Sequence, residues 1–354
     1  MTLLDGFTFP GISSRVIFGR GTLAQVGPEV VRLGHRRALV LATPHQAGEA
    51  VGLAASLGNL ACGMFTEAAM HTPVDVSERA VAAYRDLGAD CVVAVGGGST
   101  IGLAKAIAVR TGADQVVVPT TYAGSEMTDI LGESSGGQKT TRRDPAIRPE
   151  VVIYDVDLTL TLPVALTVTS ALNAIAHGVE VLYAKDGNPI LSAMAVQAMG
   201  AFRTGLPAVV ADPLDVKARA QVLYGAWLCS TGLGYAAMAL HHKLCHTLGG
   251  SFGVPHSETH AILIPHTAAF NAVAVPDLLS PVAAVFGGSV GGGLWDFAAG
   301  CGAPLALRDL GLTETDLGRA ALIATANPYD NPRPFDRTLI RALLQDAWAG
   351  TRPD

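Results

Sequence analysis

Charge is scarce in this sequence. Of 354 residues only 15% are Asp, Glu, Lys or Arg, and the formal net charge is −6. A chain of that balance has no global field to hold nucleic acid or an anionic membrane, so an anionic ligand must be drawn in by local groups. Cysteine is also sparse. Cys62, Cys91, Cys229, Cys245 and Cys301 are scattered with no CxxC, which argues against a disulfide framework or a zinc ribbon. No apolar run reaches about 18 uninterrupted residues, so no membrane span is expected. The N-terminal stretch MTLLDGFTFPGISSRVIFG lacks a basic region followed by a long apolar segment, so no signal peptide is expected and the default address is the cytoplasm. Neither a GxGxxG fingerprint nor the lysine of a P-loop accompanies the glycine-rich turn described below, and there is no internal repeat or low-complexity tract.

What is present is apolar residue and glycine: 49% of the chain is hydrophobic and 40 residues are glycine. That composition describes a compact globular protein, and the length suggests two domains. SRVIFGRGT, RRALVLATP and LACGMFTEA read as short strands. DVSERAVAAYRDLGAD (75–90) reads as an amphipathic helix with Val81, Tyr84 and Leu87 on one face and Gly88 as its stop. CVVAVGGGST is a buried strand running into a glycine turn, IGLAKAIAVRTG a helix, QVVVPTT another buried strand, and VVIYDVD one more. Strands alternating with helices in this order imply a parallel, doubly wound sheet. The polar, basic stretch 131–150 reads as loop or hairpin. After Pro163 the sequence turns to Ala/Leu-rich helical spacing. The expected fold is an α/β nucleotide-binding domain with a parallel, Rossmann-like sheet over residues 1–159, followed by an all-α domain over residues 160–354.

GGGST offers a dinucleotide pyrophosphate a close backbone approach and a helix N-terminus, through Gly96, Gly97, Gly98 and Ser99. Taken alone, it fits equally a tight turn that binds nothing. PTTYAGSEMT, at the end of the next strand, adds Thr120, Thr121, Ser125 and Thr128 hydroxyls. Its alternative is a turn that satisfies its own backbone. Two such loops at one sheet edge reinforce each other. An earlier strand ends at Thr43, where dinucleotide folds often place an acid for the ribose. With no carboxylate to repel a 2′-phosphate, weak selectivity between NADH and NADPH is expected.

Six of the ten histidines fall between His241 and His266. Asn173 and His177 are four apart, as are His242 and His246, so each pair shares a helix face. His256 follows His242 by fourteen. A helix pair plus a later histidine can assemble a metal or catalytic centre between helices. His241, His260 and His266 read singly as hydrogen-bonded core histidines.

GGGST with AKAIA, PTTYAGSEMT, LNAIAH, HHKLCHTLGGSFGVPHSETHAILIPH and NPYDNPRP together resemble the iron-containing alcohol dehydrogenase superfamily over nearly the whole chain. YAGSEMT, LHHKLCHTLGG and PHSETHA resemble its maleylacetate reductase branch. The resemblance implies the two-domain fold shared with dehydroquinate synthase, a homodimer, and a nicotinamide cofactor. It also implies a metal cage carried onto Asn173, His177, His242 and His256. The cage's aspartate is Asn173 here, and a neutral amide is a much poorer ligand than a carboxylate. Members of that branch are regarded as working without the metal. The cage is therefore expected to be vestigial and reused for substrate, with no metal. Lys243 replaces a glycine common in metal-dependent relatives and adds a cation beside the cage; its alternative is a solvated surface lysine.

The reaction implied is NAD(P)H-dependent reduction of the conjugated C=C bond of maleylacetate, a small dicarboxylate, to 3-oxoadipate in the breakdown of aromatic compounds. His246 is the expected proton donor or enolate stabiliser. His242, His256 and Lys243 are expected to meet a carboxylate or the enolate, Asn173 and His177 to bind substrate, and Tyr122 to be a secondary donor. The alternatives are a metal-dependent alcohol or polyol dehydrogenase, a lyase related to dehydroquinate synthase, and a non-catalytic nucleotide-binding module.

Overall fold

The computed structural model describes residues 6–136, 138–327 and 329–354. Met1–Asp5, at the head of the N-terminal stretch, Gly137 of the polar stretch and Pro328 of NPYDNPRP lie outside the described residues.

The first half alternates as the sequence predicts. Strands β1 (Arg15–Gly19), β2 (Ala38–Leu41), β3 (Ala61–Phe65), β4 (Cys91–Gly96), β5 (Asp114–Pro119) and a later strand, β8 (Val151–Asp155), form a six-stranded sheet in the order β1-β8-β5-β4-β2-β3. Every described pairing within it is parallel. Helices α1 (Val26–Arg32), α2 (Ala47–Leu57), α3 (Val74–Asp86) and α4 (Gly98–Thr111) cover its faces.

CVVAVG of β4 is apolar without alternation because both of its faces are covered. Val93 and Val95 pack with Val26, Val30 and Leu53 on one side. Val92 and Ala94 pack with Val81, Ile101 and Leu103 on the other. At about 1.5–3 kcal/mol for each large aliphatic side chain buried, this strand alone supplies several kcal/mol of gross stabilisation. α3 ends where Gly88 adopts a φ of 59°, the left-handed stop that its sequence suggested.

The polar stretch is a hairpin of β6 (Ile130–Ser135) and β7 (Gln138–Arg143). A 3-10 turn at Val156–Thr159 leads out of the sheet. From there on the described elements are helices: α5 (Val164–Val181), α6 (Pro189–Ala211), α7 (Val216–Tyr235), α8 (Leu240–Phe252), α9 (His256–Ala272), α10 (Pro276–Phe286), α11 (Val290–Gly300), α12 (Asp316–Thr325) and α13 (Arg337–Ala349). α5 is long and apolar enough to cross a membrane, but 83% of it is buried inside the protein, the condition of a core helix. The buried Arg219 of α7 ties the segment entering α5 to the segment entering α7. Its guanidinium donates to Thr167 Oγ1 at 2.8 Å and to the Leu162 and Pro213 carbonyls at 3.0 Å.

Candidate active site

The chain reverses its direction across the sheet between β2 and β4, since β3 lies on one side of β2 and β4, β5 and β8 on the other. Ligands of doubly wound sheets sit at the carboxyl ends of strands at such a point. The expected nucleotide residues gather there. Gly96 pairs with Pro119 in register, and the Thr120 N–H donates to the Gly96 carbonyl at 3.1 Å, joining the two loops. Gln46 Nε2 donates to Thr120 Oγ1 at 3.0 Å, and Thr43 Oγ1 donates to Gln46 Oε1 at 3.3 Å. Gln46 thereby bridges strand ends that the sequence reading left separate. A Cβ on Gly96 would stand 2.4 Å from Thr100 Oγ1 and 2.8 Å from Gln46 Oε1, so only glycine permits this approach. α4 opens on Gly98 with no side-chain cap, leaving its leading N–H groups for an anion. The cradle fits a dinucleotide pyrophosphate.

Lys105, from AKAIA, fixes the second loop. Its ammonium is fully buried and donates to the Ser125 carbonyl at 2.6 Å, Thr128 Oγ1 at 2.7 Å and the Ile130 carbonyl at 3.0 Å. Burial pushes its pKa down to about 7 against the pull of Glu126 and Asp129. At the apex of that loop Gly124 has a φ of 88°. A Cβ there would meet His177 Cε1 at 3.2 Å and Nδ1 at 3.3 Å. The second loop and His177 therefore meet.

α5, α8 and α9 supply the imidazoles. The His177 and His242 ring centroids lie 4.9 Å apart. His246 is 6.1 Å from His242 and 6.3 Å from His256. His177 and His242 are buried, whereas His246 and His256 are exposed at the mouth. Burial, reinforced by the neighbouring imidazoles, holds the His177 pKa well below the ordinary histidine value, so its ring is neutral near pH 7. Asn173 Oδ1, His177 Nδ1 and His242 Nε2 are buried without a hydrogen-bond partner. Unpaired buried polar atoms are costly, and their concentration here marks a place that a polar ligand or water completes.

Glu180 was missed by the sequence reading. It lies one turn beyond His177 and is fully buried. Its carboxylate accepts from His242 Nδ1 and, at 2.9 Å, from the His241 backbone N–H. Carboxylate–imidazole pairing fixes the His242 tautomer, with Nδ1 protonated and Nε2 turned to the cleft. The spacing 173, 177, 180 on one helix face was the available signal.

Tyr329, inside NPYDNPRP, also lies near Glu180. Its buried hydroxyl has its pKa raised by desolvation and by Glu180. Lys243 lies with Nζ 5.6 Å from the centre of that ring.

His260 and His241 correct another reading. They are buried and hydrogen-bonded, as expected, with His241 Nε2 to His260 Nδ1 at 2.9 Å and His241 Nδ1 to Thr267 Oγ1 at 3.0 Å. They are also part of the cluster: His260 stacks edge-on against His256 at 4.4 Å and His242 at 5.0 Å. His266 is buried apart from these contacts, with Nε2 unpartnered.

Tyr122 does not stand where the sequence reading put it. Its ring is fully buried in the core with residues of α5–α7, and its hydroxyl faces Arg219 and Thr159. The Tyr122 N–H is held by Ser170 Oγ at 3.1 Å. The apolar packing of α5 and α7 against the loop draws the ring inward, away from the cleft.

Residues 13–156 match the family described as iron-containing alcohol dehydrogenase, and residues 167–348 match the description Fe-containing alcohol dehydrogenase family, C-terminal. The chain is 59% identical to a maleylacetate reductase of Rhizobium sp. (strain MTP-10005), covering 99% of this chain and 100% of that protein. It is 50% identical to maleylacetate reductase 1 of Rhodococcus opacus, over 98% of each. The crystal structure of a maleylacetate reductase from Agrobacterium tumefaciens superposes with a TM-score of 0.97 at 58% identity, covering 99% of this chain and 100% of that one.

Proposed function

The chain belongs to the iron-containing alcohol dehydrogenase family, and from that premise we propose that it is an oxidoreductase reducing the conjugated C=C bond of maleylacetate to 3-oxoadipate with NADH or NADPH. The observation that supports this reading is the approach of the loop at Gly124 to His177, which sets a cofactor cradle near the unpartnered His177 Nδ1, His242 Nε2 and Asn173 Oδ1. The half-buried Thr43, Ser99, Thr121 and Ser125 flank the cradle and suit the nucleotide.

The donor set fits a resident divalent ion poorly. Asn173 offers a neutral amide oxygen, and the buried carboxylate of Glu180 is already engaged by His242 and His241. Among the described residues of α8 and α9, His241 and His260 converge with Cys245, and the two rings are already bonded to each other. The proposed chemistry therefore runs without a metal.

The reduced nicotinamide, when bound, supplies hydride. For a product saturated at that bond, hydride goes to the alkene carbon β to the ketone, and a proton goes to the carbon α to the ketone. His246, exposed at the mouth, delivers that proton. His242, with Glu180 behind its Nδ1, stabilises the developing enolate oxygen in the form that also carries a proton on Nε2, which donates to that oxygen while the Glu180 carboxylate balances the ring's charge. His256 and Lys243 attract the carboxylates. Asn173 and His177 hydrogen-bond the substrate from the cleft floor. The two units divide at residues 159 and 160. The working protein is a homodimer in the cytoplasm; five free cysteines suit a reducing compartment.

The test is NADH and NADPH oxidation with maleylacetate before and after exhaustive chelation, with metal content measured on the same sample. Undiminished turnover in metal-free protein supports the reading. Turnover that vanishes and returns with Fe²⁺ or Zn²⁺, together with oxidation of simple alcohols, replaces it with a metal-dependent alcohol dehydrogenase.

A further inference from the structure

A second group of ligating side chains lies at the other end of the sheet, where the strands begin. Ala38, Cys91 and Asp114 are neighbours in register across β2, β4 and β5. That register brings His35, just ahead of β2, to Asp90 and Cys91 at the head of β4 and to Asp114 at the head of β5. His35 Nε2 lies 2.8 Å from Asp114 Oδ2, a hydrogen bond in which the carboxylate accepts and Nε2 carries the proton. The other ring nitrogen, Nδ1, lies 3.7 Å from Asp90 Oδ1, too far for a hydrogen bond. One ligand atom each from His35, Asp90 and Cys91 lie within 4.8 Å of one another.

With Nε2 protonated, a neutral His35 ring turns its Nδ1 lone pair toward the Asp90 carboxylate, whose two oxygens accept the Arg36 and Arg37 backbone N–H groups at 2.9 Å each and each keep a further lone pair. A cation between them relieves that repulsion, either a second proton on the ring or a metal ion. The Cys91 thiol favours the metal. Imidazole nitrogen, carboxylate oxygen and thiolate sulfur together are donors suited to Zn²⁺. Aspartate and thiolate balance the charge of a divalent ion. The His35–Asp114 bond has the form by which a carboxylate orients a ligating histidine. Solvent reaches the His35 and Asp90 side of the group, whose side chains are 19% and 39% exposed, while Cys91 closes it from the buried side. The neighbouring Arg37 guanidinium is turned away, onto the Leu87 and Gly88 carbonyls. Ligand atoms of a tetrahedral zinc centre lie roughly 3.3–3.8 Å apart, so closure asks for a shift of about 1 Å.

We infer that His35 Nδ1, Asp90 Oδ1 and Cys91 Sγ form a zinc-type site with a fourth position open to water, separate from the catalytic cleft. Binding exchanges the thiol proton for the ion: the S–H bond breaks, the S–metal bond forms, and one proton leaves to solvent. The site pins the segment ahead of β2 to β4 and stabilises that edge of the sheet.

Full-length protein, chelated and kept reduced, is titrated with Co²⁺ and then Zn²⁺. The expected result is a thiolate-to-cobalt charge-transfer band that saturates at one ion per chain, displaced by Zn²⁺, with one proton released. The band survives in His242→Ala and in Cys245→Ser, is lost in Cys91→Ser, and needs at least roughly tenfold more cobalt in His35→Gln. Zn²⁺ raises the melting temperature of the parent and of His242→Ala but not of Cys91→Ser, while turnover of His35→Gln matches the parent. Should Cys91→Ser fail to fold, His35→Gln carries the test alone. Absence of the band, a band that follows Cys245 instead of Cys91, or cobalt affinity unchanged in His35→Gln overturns the assignment.

Discussion

Glu180→Gln is the sharpest test of the catalytic geometry. The carboxylate serves three donors at once, the His242 ring N–H, the His241 backbone N–H and, at 3.4 Å, the Tyr183 hydroxyl. Glutamine has nearly the same size but only one accepting oxygen, so its NH₂ must face one of those donors. If the oxygen keeps the His241 N–H, His242 loses its anchor, and no carboxylate remains behind Nδ1 to balance a ring that also carries a proton on Nε2. A hydrogen bond to a charged partner contributes about 1.5–3 kcal/mol. If that stabilisation is exerted on the enolate-like transition state, it converts at 1.36 kcal/mol per decade to a fall in kcat of roughly 10- to 150-fold. Nucleotide affinity should hold, because the cradle at Gly96–Ser99 does not touch Glu180. The assay is steady-state NADH oxidation with maleylacetate across pH, paired with NADH binding followed by fluorescence and with thermal melting. A folded variant whose kcat stays within about twofold of the parent, with an unshifted pH profile, would refute the claim that Glu180 orients His242.

His246→Ala should lower turnover by roughly 10²–10⁴-fold with nucleotide binding intact; turnover within a few-fold of the parent removes His246 from the proton-donor role. Lys105→Met removes three hydrogen bonds from the loop under Gly124. It should weaken nucleotide binding by about 1–3 kcal/mol, and an unchanged Kd for NADH would show that the loop holds its shape without the lysine. Asn173→Asp adds a carboxylate to the imidazoles of the cage. Dialysed against Zn²⁺ or Fe²⁺, it should retain ion where the parent does not and lose reductase activity; equal metal content in both proteins counts against the vestigial-cage reading. Acid should destabilise the fold through its buried histidines. Burial holds the His266 pKa down to about 4, while in the unfolded chain it is about 6.5. Between those values the unfolded state binds more protons, so stability falls as pH drops through that window, by up to about 1.4 kcal/mol per unit for this residue. Urea midpoints measured from pH 7 to 4 should show a shallower slope in His266→Gln, and identical slopes would refute the assignment.

The sequence by itself determined the α/β half and which polar side chains share a face of one helix. Unbroken apolar strands such as CVVAVG, set between amphipathic helices, can be buried only in a parallel sheet covered on both faces. The expectation of Gly96–Ser99 and Thr120–Ser125 at one edge follows from that connectivity. Four-residue spacing placed Asn173 with His177 and His242 with His246, because a helix of 3.6 residues per turn brings such pairs onto one face. Tertiary structure alone decided which groups meet across helices. Glu180 is silent in sequence because glutamate is abundant on helix surfaces; only the packing of α5 against α8 and α9 buries it and gives it His242. The same packing turned His241 and His260 into members of the cluster and drew Tyr122 into the core. At the opposite end of the sheet, strand register joined His35, Asp90, Cys91 and Asp114, residues as much as 79 positions apart. Local spacing encodes faces of single elements, whereas contact between faces depends on how the elements are packed.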